Sequence, residues 1–167
     1  MRGRGRALSR GVSALIMLAV VAAIVAGIVL LVGAFQVPYG LAERPLPAGP
    51  ALDALLPLEV GPFLREDARY VEGLWTAVYR RGEAQVSMRA VRDASAAEAQ
   101  GRVAEVERQP EVQSRLHRSR IGFDPSYLRV IMGDGRARLA WSHGPFFFDA
   151  QADSEATLEA FMARFPY

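Results

Sequence analysis

The sequence predicts an α+β protein: an N-terminal transmembrane helix followed by a small domain with an antiparallel sheet of about five strands and helices packed on it. Three observations carry this. Residues 14–35 are all apolar or glycine. Period-2 alternation recurs in short stretches joined by hairpin turns. Two amphipathic helical segments interrupt those stretches.

The apolar run "ALIMLAVVAAIVAGIVLLVGAF" spans about 33 Å as a helix, matching a hydrocarbon core of roughly 30 Å. A secretory signal has an apolar stretch of only about 7–15 residues, although Val32-Gly33-Ala34 offers a poor cleavage site. The preferred reading is an uncleaved anchor over residues 12–35. Arg2, Arg4, Arg6 and Arg10 precede it, and Arg44 is the one basic residue in the twenty that follow. The positive-inside rule then places residues 1–11 as a short cytoplasmic tail and the bulk of the chain outside, at the cell membrane. Small residues at Ala19, Ala23 and Gly27 form a stripe that suits close helix approach, or reflect an alanine-rich composition.

Charge and composition exclude several classes. The chain has no cysteine, which removes disulfides, thiol catalysis and Cys-ligated metals. It has no lysine either, so a Schiff-base or P-loop lysine is excluded. Of its 20 basic residues four precede the anchor, leaving 16 against 18 acidic residues beyond it. The basic pI is therefore a targeting feature, and nucleic acid is not an expected partner. A compact Lys-free chain with a simple anchor is of a bacterial kind.

Residues 36–50, with four prolines and two glycines, read as a semi-extended tether. Residues 51–167 read as the extracytoplasmic domain. Its first element is a short helix over Leu52–Leu56, broken by Pro57. "YVEGLWTAVYRR" reads as one strand with apolar residues on both faces. "EAQVSMRAV" is a second strand with Ala84, Val86, Met88 and Ala90 inward. "SAAE", Ser95 to Glu98, is a capping box opening a helix that carries Ala99, Val103 and Val106 on one face and stops at Pro110. Three strands follow, "SYLRVIM", "RARLAWS" and "PFFFDA", joined by Gly133-Asp134-Gly135 and Ser142-His143-Gly144. A last helix starts near Asp153 or Ser154, with Leu158, Phe161 and Met162 inward, and Phe165-Pro166-Tyr167 closes the chain as an aromatic clamp. The order is β-β-α-β-β-β-α.

In that order, the hairpin "MGDGRARLAWSHGPFFFDA", the helix after it and the terminal "RFPY" loosely resemble PsbP-like α/β/α sandwich domains over residues 60–167. The resemblance implies a fold and assigns no residue a role.

Phe146, Phe147 and Phe148 pose the main packing problem, because consecutive strand residues face opposite ways. The expectation is that one face receives both helices. The other would be closed by "LLPLEVGPFL" or, failing that, by a partner or a second copy.

Few residues suggest chemistry. His143 would need an acid such as Asp149 or Asp134 to act as a base, and adjacent Ser142 points away from it. Arg115, His117, Arg118 and Arg120 form a basic loop suited to lipid phosphate, an anionic glycan or an acidic partner, or simply to solvent. Asp134 is one carboxylate where a calcium loop needs several. No catalytic, cofactor-binding or metal-binding residues are assigned. The first reading is a single-pass membrane protein with a non-catalytic extracytoplasmic interaction or accessory domain. Its partners would be the bilayer through residues 12–35, and a membrane or envelope protein or a second copy. The contact would lie at Trp75, Tyr79, Trp141 and Phe147, or at the arginine loop. The alternative is an extracytoplasmic small-ligand-binding domain or hydrolase with a cleft between the sheet and residues 110–126.

Overall fold

The computed structural model describes residues 38–113 and 126–167, together with Met17, Val20, Val21, Ile24 and Val25. The chain divides into two units, residues 1–36 and 37–167.

In the first unit the five described residues are helical, and all are apolar and about half exposed or more, from 52% at Val20 to 71% at Met17. No helix among the described residues is long and apolar enough to cross a membrane. The transmembrane helix expected over residues 12–35 is therefore not found, and most of that stretch lies outside the described residues.

The second unit is built on one antiparallel sheet of seven strands: β1 (Glu59–Val60), β2 (Phe63–Val71), β3 (Leu74–Arg81), β4 (Ala84–Arg92), β5 (Tyr127–Ile131), β6 (Ala137–His143) and β7 (Phe146–Ala152). Their order across the sheet is β1-β2-β3-β4-β7-β6-β5. Among the described residues it also holds helices α1 (Leu52–Leu55), α2 (Ala96–Arg108), α3 (Pro110–Gln113) and α4 (Glu155–Met162), with a short 3-10 turn over Pro38–Glu43.

This corrects the expected five strands and their order. The stretch read as one strand from Tyr70 onward is the junction of two. Val71 pairs with Leu74 across a two-residue turn, Glu72-Gly73, whose φ angles are +49° and +85°. Positive φ at both central positions is the hairpin geometry that matches strand twist, and Gly73 adopts it without steric cost. The outer arm, "FLREDARYV", hid its strand character behind four charges. A bulge between Arg65 and Asp67 further breaks its period.

The helices take opposite faces of the sheet, and this overturns the expectation that one face receives both. Helix α2 starts where the sequence places it: the Glu98 amide donates to the Ser95 hydroxyl (3.2 Å), and Glu98 reaches back to the Ala94 amide (3.0 Å). Its buried Ala99, Val103 and Val106 meet Leu128, Val130, Ala140 and Phe147. Helix α4, capped by Ser154, lays Leu158, Phe161 and Met162 on the other face, among Met88, Leu139, Trp141, Phe146 and Phe148. Leu55, Leu56, Val60 and Phe63 join α4 there, so the segment before β2 shares a helix-covered face and is not the lid of a helix-free face that was expected; α2 closes the other side. Both sides of the triple phenylalanine are thus covered from within the chain.

The C-terminal aromatic clamp is present. Trp141 stacks on Phe148 at 5.0 Å, and Phe165 meets both edge-on at 5.7 Å. Tyr167 also stacks with Phe148 at 6.0 Å. Residues 38–50 lie against the same face: Leu41 is buried, and the Arg44 guanidinium donates to the carbonyls of Tyr39 (2.6 Å), Met162 (2.8 Å) and Phe165. A cation on the last carbonyls of α4 satisfies orphan acceptors at the negative end of its dipole.

Candidate functional site

Where α2 ends, three neighbouring strands turn charged side chains to the same side. In register, Arg89 of β4 stands directly across from Asp149 of β7, and Arg138 of β6 lies one diagonal away, opposite Gln151. Period-2 alternation puts all three on the α2 face. Arg138 grips Asp149 in a bidentate fork, Nε to Oδ1 and Nη2 to Oδ2, both 2.8 Å. Arg89 adds Nε to Oδ2 at 2.9 Å and a second contact from Nη2. The remaining Arg138 nitrogen, Nη1, donates to Gln109 (2.8 Å) and reaches Glu111 at 3.4 Å. Arg138 and Asp149 are each 3% exposed.

The electrostatics follow from burial. Desolvation alone would favour neutral Asp149, but the Arg138 hydrogen bonds and charge, seconded by Arg89, hold its carboxyl below the ordinary aspartate value. Desolvation likewise opposes the charged form of Arg138, and Asp149 overcomes it, raising the guanidinium above its usual value. A planar fork is the geometry in which a buried ion pair can recover its desolvation cost.

An open cleft of about 320 Å³ lies over this cluster, lined by Ser87, Arg89, Gln109, Glu111, Arg138, Asp149 and Gln151. A second depression, about 310 Å³, shares Ser87 and Gln151 and adds Glu83, Gln85, Arg136 and Asp153. Chemically the cluster is closed. Both oxygens of Asp149 accept from arginine, so this buried acid is not available as a base. No group of three or more metal-ligating side chains occurs among the described residues.

The residues singled out by sequence fall elsewhere. Tyr79, Trp141 and Phe147 are core residues at 0%, 1% and 3% exposure, and a buried ring cannot bear a partner. They do not share a face either: Phe147 lies under α2, whereas Tyr79 and Trp141 lie under α4. Tyr79 is committed through its hydroxyl, which donates to the Pro57 carbonyl at 2.8 Å, and burial pushes that phenol well above its usual range. Trp75 remains half-buried, its Nε1 donating to Pro50 (3.1 Å) and its ring against Tyr70 at 5.0 Å. Arg115, His117, Arg118 and Arg120 lie outside the described residues.

Among the described residues His143 does not meet an acid. Asp149 is on the opposite face of the sheet, and Asp134 binds Arg136 within its own turn at 2.9 Å. The imidazole is half-buried with Nδ1 unpartnered, and burial lowers its basicity.

Two groups went unread in the sequence. One is the Arg89–Asp149–Arg138 cluster. Its signal was an arginine and an aspartate inside otherwise apolar, hairpin-linked strands 11 residues apart. The other is the outer sheet surface, where Leu58 (59% exposed), Leu64 (53%), Tyr70 (63%) and Val71 (49%) stand open. No protein-family model, curated protein or solved structure matches this chain.

Proposed function

We propose that this chain is a membrane-held protein whose exported domain is a non-catalytic docking module, and that its contact surface is the outer ribbon of the sheet, β1 to β3. The observation that carries this is the exposed apolar set Leu58, Leu64, Tyr70 and Val71, large side chains that folding leaves in water while smaller ones are buried. The closed Arg89–Asp149–Arg138 cluster supports a structural rather than a reactive role for the most buried charges. The apolar residues 14–35, flanked on one side by four arginines, support attachment to the membrane with the domain outside.

The test is photo-cross-linking of the intact protein in its own membrane, with the reactive residue placed at Tyr70, at Val71 or, as a control, at exposed Gly101. Protein adducts from Tyr70 and Val71 but not from Gly101 are expected. Equal yields from all three positions would sink the reading.

A second reading, a small-ligand-binding domain, is favoured by the cleft over Arg138, where Arg89 remains partly exposed beside Ser87 and Gln151. It expects a small carboxylate such as acetate or succinate to shift the NMR signals of Ser87, Arg89 and Gln151 in a saturable way. A linear response, or none, would remove it.

A further inference from the structure

We infer that the partner of the outer ribbon is a second copy of this chain, joined edge to edge through β2 about a two-fold axis at Ala68. This rests on the docking reading above and names its occupant.

Strand β2 is paired with β3 from Leu64 opposite Arg80 to Val71 opposite Leu74, interrupted only by the bulge at Glu66. Its outer side is paired with β1 only at Phe63 and Leu64, with one further bond from the Arg65 amide to the Leu58 carbonyl (2.9 Å). Beyond the bulge at Arg65/Asp67, the outer edge of Asp67–Val71 has no strand partner among the described residues. Such an edge is a template for another strand.

The side chains on that edge select the partner and its register. Joining two copies into one continuous antiparallel sheet needs a two-fold axis perpendicular to it, so each residue meets one on the same face. The axis must then pass through a residue. At Asp67 it would set two carboxylates against each other, and at Arg69 two guanidinium groups. Like charges directly opposite are destabilising. At Tyr70 it would put two large rings on the axis and leave Asp67 facing the Glu72-Gly73 turn. At Ala68 it places only a methyl group on the axis. Asp67 then faces Arg69 of the other copy, twice over by symmetry.

Asp67 and Arg69 already hold one another within the strand at 2.9 Å, at 50% and 73% side-chain exposure, so both stand on the surface and can exchange to the cross-strand pairing. Val71 and the Tyr70–Trp75 pair flank the contact on its two faces and would lose water as it forms. About Ala68 only Asp67–Arg69 of each copy face one another along the free edge, because Tyr70 and Val71 fall opposite the bulge and the Arg65 amide already bonded to Leu58; three residues are a short seam. Confinement to one membrane would raise the local concentration of copies enough for a weak contact to matter.

The chain has no cysteine, so Ala68→Cys in the full-length protein in native membranes is a clean reporter. Directly opposed residues of an antiparallel pair have Cα atoms about 4.5–5.5 Å apart, within the range a disulfide needs. Mild oxidation is expected to yield a covalent dimer from Ala68→Cys and none from Glu83→Cys in an exposed turn. Asp67→Arg or Arg69→Asp alone should weaken dimerisation by about 5–30-fold, and the double exchange should restore it. Absence of the Ala68→Cys dimer, or single and double exchanges that behave alike, overturns the inference. If Tyr70 still cross-links to a different protein in that case, the docking reading stands and its occupant is wrong. If Tyr70 captures nothing, both fall.

Discussion

Replacing Asp149 with alanine is expected to destabilise the domain by about 3–5 kcal/mol, enough to unfold a marginal protein. The cost does not come from losing an attraction alone. Arg138 is 3% exposed and spends its Nε and Nη2 on Asp149, so the substitution strands a buried cation. Replacing the pair together, Arg138→Met with Asp149→Leu, should recover most of the loss, because apolar side chains of similar volume carry no desolvation cost. Urea denaturation of the two variants separates these outcomes; equal destabilisation would show that shape rather than charge holds the site. The pH dependence has a defined sign. The folded carboxyl of Asp149 lies below its unfolded value of about 3.9, so the stabilisation is fully present above that value. It is lost as pH falls through the folded value. Between pH 5 and 8 this group should leave stability flat, and Asp149→Ala should flatten the acid limb.

Phe148→Ala is expected to cost about 3–5 kcal/mol as well, through the cavity it leaves. Its ring is fully buried, stacked with Trp141 and with Tyr167 and edge-on to Phe165. Phe147→Ala is the informative contrast. One residue away, it empties the opposite core, among Val103, Val106, Leu128 and Val130. Hydrogen exchange should report the difference: Phe148→Ala speeds exchange in α4 and the Phe165 tail, and Phe147→Ala speeds it in α2. Loss of protection in the same helix from both variants would contradict the two-sided packing.

The parts legible in the sequence were those where one local signal acts alone. The Ser95 cap, the inward set of β4, the apolar faces of α2 and α4 and the glycine-marked β5–β6 turn each follow from a few adjacent residues. The parts that were not legible depend on non-local pairing. The Glu72-Gly73 turn lacks the asparagine or aspartate that usually marks such hairpins, so the end of β2, Tyr70-Val71, reads as one strand with β3. β2 carries polar side chains because it is an outer strand, and that is the composition sequence reading assigns to loops. The side of the sheet each helix chooses was also hidden. β7 is apolar on both faces, so periodicity cannot say which helix covers Phe147. The candidate site fared worse for a related reason. Surface aromatics and histidines attract attention, yet Tyr79 and Trp141 are buried, and the charged cluster is formed by residues from three strands. Only the register of β4, β7 and β6 brings Arg89, Asp149 and Arg138 together.

The central claim is that the triple phenylalanine is closed on both sides within one chain, which leaves the outer ribbon rather than the aromatic core for a partner. Isotope-filtered NMR of the intact protein in a membrane mimetic, with labelled and unlabelled copies mixed, tests this directly. Within a single copy, the Phe147 ring should show proximity to the valine methyls of α2, and the Phe148 ring to Trp141, Phe165 and Tyr167. Signals between copies should be confined to β2. Proximity of both rings to one helix, or of either ring to a second copy, would contradict the account.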